Sequence, residues 1–241
     1  MAKPSDVPLI DRRLRAAFGT PRRRPAADPV EELVSTVLSQ HTTGPNSDRA
    51  LAALGERFPS WDDVADADPA EIAACIRSAG LANQKAPRIR AILRRIREAP
   101  GAIELEFLRA LSVDEAMAWL TTLPGVGQTT AACLLLFGAG LPAMPVDTGI
   151  ARVAARLGLT RTGAPAEHTQ RVLQDAVPPS RVYGLHVNLI HHAREICRPR
   201  DPLCGLCPLN DLCDAFLLVA GRAGGPAAAR AARAGVPKSL R

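Results

Sequence analysis

Lysine is nearly missing from this 241-residue chain: Lys3, Lys85 and Lys238 are the only three among 30 basic residues, and the other 27 are arginine. Chemistry that needs an amine nucleophile has few side chains to draw on, while the forked guanidinium that grips phosphate is abundant. Aromatic residues make up only 3%. That scarcity argues against a stacking platform for single strands and favours contacts to a duplex backbone. Long apolar runs are also lacking: the stretch from Ala131 to Val146 is broken by Gly138, Gly140, Pro142 and Pro145 and is too short to span a bilayer. The first residues include Asp6 and Asp11 and carry no apolar core of a secretory signal, so the expected compartment is the cytoplasm. No segment alternates apolar and polar residues in the manner of a strand, and the fold class expected is all-α.

The composition, 47% hydrophobic and 22% charged, is that of a chain able to bury a core in one large or two small domains. The net charge of +6 suits a polyanionic partner, although many proteins with such an excess never meet one. Three helix starts share one device, a capping residue followed three positions later by Glu: Asp28 with Glu31, Asp68 with Glu71, Ser112 with Glu115. Pro29 and Pro69 take the first helical position, where a missing N–H costs nothing. Helical spacing recurs in Ile89 to Ile96 and Val182 to Ile196. Arg12 to Pro25, rich in Arg and Pro, and Gly221 to Arg241, an Ala/Gly/Arg tract with no acidic residue, are expected to be mobile. The tail is either a solvated extension or a basic arm trailing over phosphates. There is no internal repeat.

Three motifs carry chemistry. Cys197, Cys204, Cys207 and Cys213 fall within seventeen residues in the pattern Cys-x6-Cys-x2-Cys-x5-Cys. Thiolates so close converge on one metal centre, since disulfides are rare in a reducing compartment. Structural zinc sites usually separate two short Cys pairs by a longer connection, and iron–sulfur is favoured over zinc without excluding it. The second motif, Leu123-Pro124-Gly125-Val126-Gly127, joins the helix begun at Ser112 to an apolar helix expected over 129–137. Its glycines let backbone N–H groups approach a phosphate oxygen, unless the segment is an ordinary Gly-rich turn. The third is Asp147, just before another helical pattern. It reads as an N-cap and equally as a carboxylate available to a cationic sugar or a nucleophile; a negative group is favoured at a helix N-terminus.

The hairpin, then Val146-Asp147-Thr148 about twenty residues on, then His186-x2-Leu189-Ile190-x-His192-x-Arg194-x2-Cys197 leading into the cysteine loop, resembles endonuclease III over roughly Pro29 to Phe216. The resemblance implies a helix-hairpin-helix DNA glycosylase with two helical domains, DNA between them and one 4Fe-4S cluster on Cys197, Cys204, Cys207 and Cys213. A six-helix domain with the hairpin would span 28–141. The iron–sulfur domain would combine 1–27 with 142–216, leaving 217–241 as a disordered basic tail. The family's gap-filling segment falls on Leu38-Ser39-Gln40-His41-Thr42-Thr43, so the side chain that replaces the extruded base would be His41 or, with a small shift, Gln40. The family's second wedge, a Gly-Leu pair, falls on Gly80-Leu81. Leu123, Gly125, Val126, Gly127 and Gln128 would meet the duplex at the hairpin, and Arg198 and Arg200 at the cluster loop, with binding that weakens steeply in salt.

Three departures stand out. The family's Schiff-base lysine position holds Thr129, and the family's Val-Asp-Thr-His run ends here in Gly149; the stretch between Lys85 and the hairpin is also longer. The reading is a monomeric, nucleoid-associated enzyme that flips a damaged or mismatched base out of duplex DNA and cleaves its N-glycosidic bond through Asp147, with weak or absent strand cleavage. The other amines open to a slow lyase are Lys85 and the N-terminus. The rivals are a non-catalytic iron–sulfur lesion sensor and a zinc-stabilised hairpin module. Cys75 and Cys133 are expected to be free, buried thiols.

Overall fold

Proline and capping side chains decide where several helices begin. The computed structural model describes residues 2–22, 28–98 and 101–222. Among these residues there are twelve α-helices and no strand, the all-α class expected. The helices are α1 (Val7–Phe18), α2 (Pro29–Ser39), α3 (Gly44–Arg57), α4 (Trp61–Asp66), α5 (Pro69–Cys75), α6 (Ala82–Glu98), α7 (Val113–Leu120), α8 (Gln128–Cys133), α9 (Thr148–Leu157), α10 (Ala166–Gln174), α11 (Pro179–Glu195) and α12 (Asp214–Arg222). They form two units, one from the described residues of 24–141 and one from those of 1–23 and 142–241. No helix among the described residues is long and apolar enough to cross a membrane.

In the unit of 24–141, Asp28 and Asp68 accept the N–H of the second helical residue, Val30 at 2.9 Å and Ala70 at 2.8 Å, with Pro29 and Pro69 ahead of them. At Ser112 the reciprocal box closes, the Glu115 N–H donating to Ser112 Oγ and the Ser112 N–H to the Glu115 carboxylate. This unit holds seven α-helical segments rather than the six the resemblance implies. α4 and α5 are separate because Asp68 precedes Pro69, whose ring disfavours helical geometry in the residue before it.

α2 buries Val30, Leu33, Val34, Val37 and Leu38, a stripe at helical spacing, and packs on the segment after the hairpin. That segment is not the single apolar helix expected over 129–137. α8 ends at Cys133 and the chain continues as a π-helix over Leu134–Ala139. Its Gly138 lies so close to α2 that a Cβ there would sit 3.1 Å from Glu32 Cβ and 3.2 Å from Pro29 Cα. The stretch before the hairpin helps to finish this π turn: Arg109, in the 3-10 turn Glu106–Ala110, donates to the carbonyls of Gly138 at 3.0 Å and Ala139 at 3.2 Å. Carbonyls at a helix end have no partner within the helix, and a guanidinium fork suits two of them at once.

In the other unit α1 packs on α11, burying Val7, Ile10 and Leu14 completely. The buried Asp11 takes a two-bonded contact from Arg181, at 3.0 and 2.9 Å. The expectation of a mobile Arg12–Pro25 is therefore corrected for residues 12–18, which are helix; the rest of that stretch lies partly outside the described residues. Likewise α12, whose first turn sets Ala215 and Phe216 against the cavity beside the cysteines, carries helix through Arg222, past residue 216 where a disordered tail was expected to start. Residues 223–241 lie outside the described residues.

Candidate functional site

The hairpin begins where α7 ends. Leu123 and Val126 are buried, only 2% and 4% exposed, and pin the turn between two exposed positions, Pro124 and Gly125. Gly125 has φ +73°, and a Cβ on it would stand 2.8 Å from Arg88 Nε. The left-handed backbone is what favours glycine here, with the Arg88 side chain laid against it. Gly127 starts α8 with no side chain to cap it. Gln128 and Thr129, both half-buried, make the first turn of α8.

Behind that turn runs a polar chain. Arg88 Nη1 donates to Gln40 Oε1 at 3.1 Å, and Gln40 Nε2 donates to the hydroxyl of the buried Thr130 at 3.3 Å. It ties α6, the end of α2 and α8 together. Of the two gap-filling candidates, Gln40 is thus engaged inside the protein, while His41 is exposed in a left-handed conformation, φ +56°. Leu81 is similarly strained, φ +50°, and is 48% exposed after Gly80. Such a conformation costs a side-chain-bearing residue on the order of 1–3 kcal/mol and persists only where the surroundings enforce it. Among the described residues the remaining non-glycine of this kind is Asp201, in the cluster loop.

Lys85 does not offer a free amine. It is 3% exposed, and its ammonium donates to the carbonyls of Leu38 at 2.7 Å and Ala79 at 2.9 Å. Burial, with a smaller contribution from the Arg88 charge, lowers its pKa.

In the other unit, Asp147 is the N-cap of α9, half-buried, with Oδ1 accepting the Ile150 N–H at 2.7 Å. The extended chain leading to it is held from two sides. Gln174 Oε1 accepts the Met144 N–H at 2.9 Å, and the buried His186 ring contacts the Pro145 carbonyl through Nδ1 at 3.1 Å. Burial pushes the His186 pKa down to about 4, so near neutrality the ring is uncharged and Nδ1–H is the donor. Gly149, where the family has histidine, lies against α11: a Cβ there would be 3.2 Å from both Ala193 Cβ and Asp147 Oδ1.

α11 delivers the cysteines. The Cys197 N–H donates to the His192 carbonyl at 2.7 Å, and 3-10 turns at Cys204–Leu206 and Asn210–Leu212 fold the loop back. Two arginines of α9 grip it. Arg152 donates to the carbonyls of Cys197 and Ala193, each at 3.0 Å, and Arg156 to those of Arg198 at 2.8 Å and Pro199 at 3.1 Å. The side chains of Arg198 and Arg200 are exposed. All four thiols are free, half-buried and line one cavity of about 360 Å³ with His192, Leu157 and Phe216. All four line that one cavity together with Arg156 and Asn210. Four soft donors around a cavity suit a polynuclear iron–sulfur group. Burial, reinforced by the neighbouring thiols, pushes Cys207 up to about 12 and raises Cys204 and Cys213, so a positively charged metal centre is needed to hold them as thiolates. Cys75 and Cys133 are half-buried, less enclosed than expected.

Sequence reasoning missed the positioning roles of Lys85, Arg152, Arg156 and His186, which bond backbone carbonyls, and of Arg88, which bonds the Gln40 side chain. For the arginines of α9 a signal existed, a pair four residues apart and therefore on one face.

Comparison with known proteins places these features. Residues 34–179 match the model of the HhH-GPD superfamily of base excision DNA repair proteins, and residues 197–213 match the iron–sulfur binding domain of endonuclease III. Endonuclease III of Thermotoga maritima is 34% identical over 196 residues, covering 81% of this chain and 87% of that protein. That of Synechocystis is 36% identical over 186 residues, 77% and 80% of the two chains. A solved non-covalent endonuclease III–DNA complex superimposes with TM-score 0.76 at 27% identity, over 90% of this chain and 97% of that one. This chain belongs to the HhH-GPD superfamily of base excision repair proteins and is of the endonuclease III type, with an iron–sulfur loop.

Proposed function

We propose that this protein is a DNA glycosylase that extrudes a damaged or mismatched base from duplex DNA and hydrolyses its glycosidic bond, with little or no strand cleavage. The observation that carries the reading is Asp147, held half-buried at the start of α9 by the Ile150 N–H, inside the region matched by the repair family. In this role the carboxylate stabilises the cationic sugar or takes a proton from the attacking water. Thr129 stands where the family's lysine would form an imine with the sugar, and a hydroxyl cannot form one. Lys85 gives no substitute, since its ammonium is occupied by two backbone carbonyls.

The duplex backbone would be met by Leu123, Gly125, Val126, Gly127 and Gln128 and by Arg198 and Arg200. His41 fills the gap left by the base, rather than Gln40, whose amide is spent on Thr130 and Arg88; Leu81 is the second wedge. Cys197, Cys204, Cys207 and Cys213 would hold one 4Fe-4S cluster. When bound, that group supplies the centre around which the loop folds.

The test is an excision assay over duplexes carrying oxidised, mismatched or uracil bases, on wild type and Asp147→Asn. Excision of at least one base by wild type and not by the variant is expected. No excision from any of them, with selective binding to altered duplexes intact, would favour the lesion-sensor reading.

A further inference from the structure

His41 and Leu81 reach the same backbone conformation from separate segments, and one buried side chain touches both approaches. The Lys85 ammonium donates to Leu38 O, three residues before His41, and to Ala79 O, two residues before Leu81. The Lys85 backbone N–H donates to the carbonyl of Leu81 itself at 2.9 Å. Leu38 O belongs to the last turn of α2, where carbonyls lack helical partners, and Ala79 ends a 3-10 turn. A compact ammonium on a flexible stem can satisfy both at once. Burying a cation for packing alone is unfavourable, since an apolar side chain of similar volume does as well or better. We propose that Lys85 is a positioning residue that locks the two wedge segments into one rigid frame, so that His41 and Leu81 enter the duplex together. The inference rests on the glycosylase reading above.

Gap filling can be read without chemistry, on a duplex with a tetrahydrofuran abasic analogue flanked by 2-aminopurine. Wild type is expected to prefer this duplex over the intact one and to brighten the unstacked 2-aminopurine. Lys85→Met, checked for cluster absorbance and helicity, is expected to bind intact duplex as wild type does, but to lose about tenfold of its preference for the abasic duplex, together with the fluorescence change, as follows from removing a charged donor from two buried acceptors. Lys85→Gln, which keeps amide donors, is expected to fall between the two, and it carries the test if the Met variant does not fold. Amide exchange is expected to rise together in the peptides containing 38–43 and 78–83, and not in the cysteine loop. A folded variant with undiminished preference and fluorescence overturns the role of Lys85 alone. A wild type that does not distinguish the two duplexes overturns the glycosylase reading and this inference with it.

Discussion

The carboxylate of Asp147 accepts the backbone N–H of Ile150 at 2.7 Å, so the residue that starts α9 is also the one the proposed chemistry requires. The two duties separate in Asp147→Asn. Asparagine caps helices about as well as aspartate, and the melting temperature is expected to stay close to that of wild type. Single-turnover excision is expected to fall by about 10²- to 10⁴-fold, the usual worth of a positioned acid or base. An Asn variant as fast as wild type would reduce Asp147 to a cap.

Borohydride trapping addresses strand cleavage. Wild type is expected to give no covalent adduct with an abasic duplex, because Thr129 is no amine and the ammonium of Lys85 is bound to two carbonyls. Thr129→Lys restores an amine in the first turn of α8 and is expected to yield a trapped adduct. An adduct in wild type that disappears in Lys85→Ala would show that the lysine leaves its pocket during the reaction.

Anaerobically purified protein is expected to be brown, to absorb near 400 nm and to contain about four irons per chain. Zinc without iron would contradict the proposed cluster. With the Cys207 thiol pushed up to about 12 by burial, binding of iron by the cysteines must displace protons, and reconstitution of cluster-stripped protein is expected to weaken as pH falls.

Acid should loosen the strand that carries Asp147. His186 has its folded pKa depressed to about 4 from 6.5, so its contribution is present above pH 6.5 and is lost as pH falls toward 4. The loss amounts to about 3 kcal/mol, from roughly 1.4 kcal/mol per unit. His186→Asn keeps a donor for Pro145 but does not titrate there. Its melting temperature is expected to depend less on pH between 6.5 and 4 than that of wild type; equal slopes would move the effect to another group.

Local signals in the sequence were legible and distant ones were not. Asp28, Asp68 and Ser112 announce their helices because capping is decided within four residues. The cysteines declare a shared centre by spacing alone. α1 was hidden by the Arg/Pro composition of residues 12–25, although Val7, Ile10 and Leu14 recur at helical spacing and are all fully buried. The π turn at Leu134–Ala139 could not be read, since a run apolar on every face carries no phase. Neither the bond between Gln40 and Thr130, ninety residues apart, nor the burial of Lys85 leaves a trace in local pattern. A lysine in the first turn of a polar helix looks like solvent-facing charge until the tertiary fold encloses it.

α9 holds Asp147 at its head and, through Arg152 and Arg156, the cysteine loop along its flank. A helix advances 1.5 Å and turns about 100° per residue, so one residue inserted or deleted between Asp147 and Arg152 would swing one of these duties off its face. Side chains on the outer surface of α9 are free to drift over evolutionary time, but its residue count is not. The helix serves as a ruler, and length polymorphism in related chains should accumulate in the connections on either side of it while the interval from Asp147 to Arg156 stays constant.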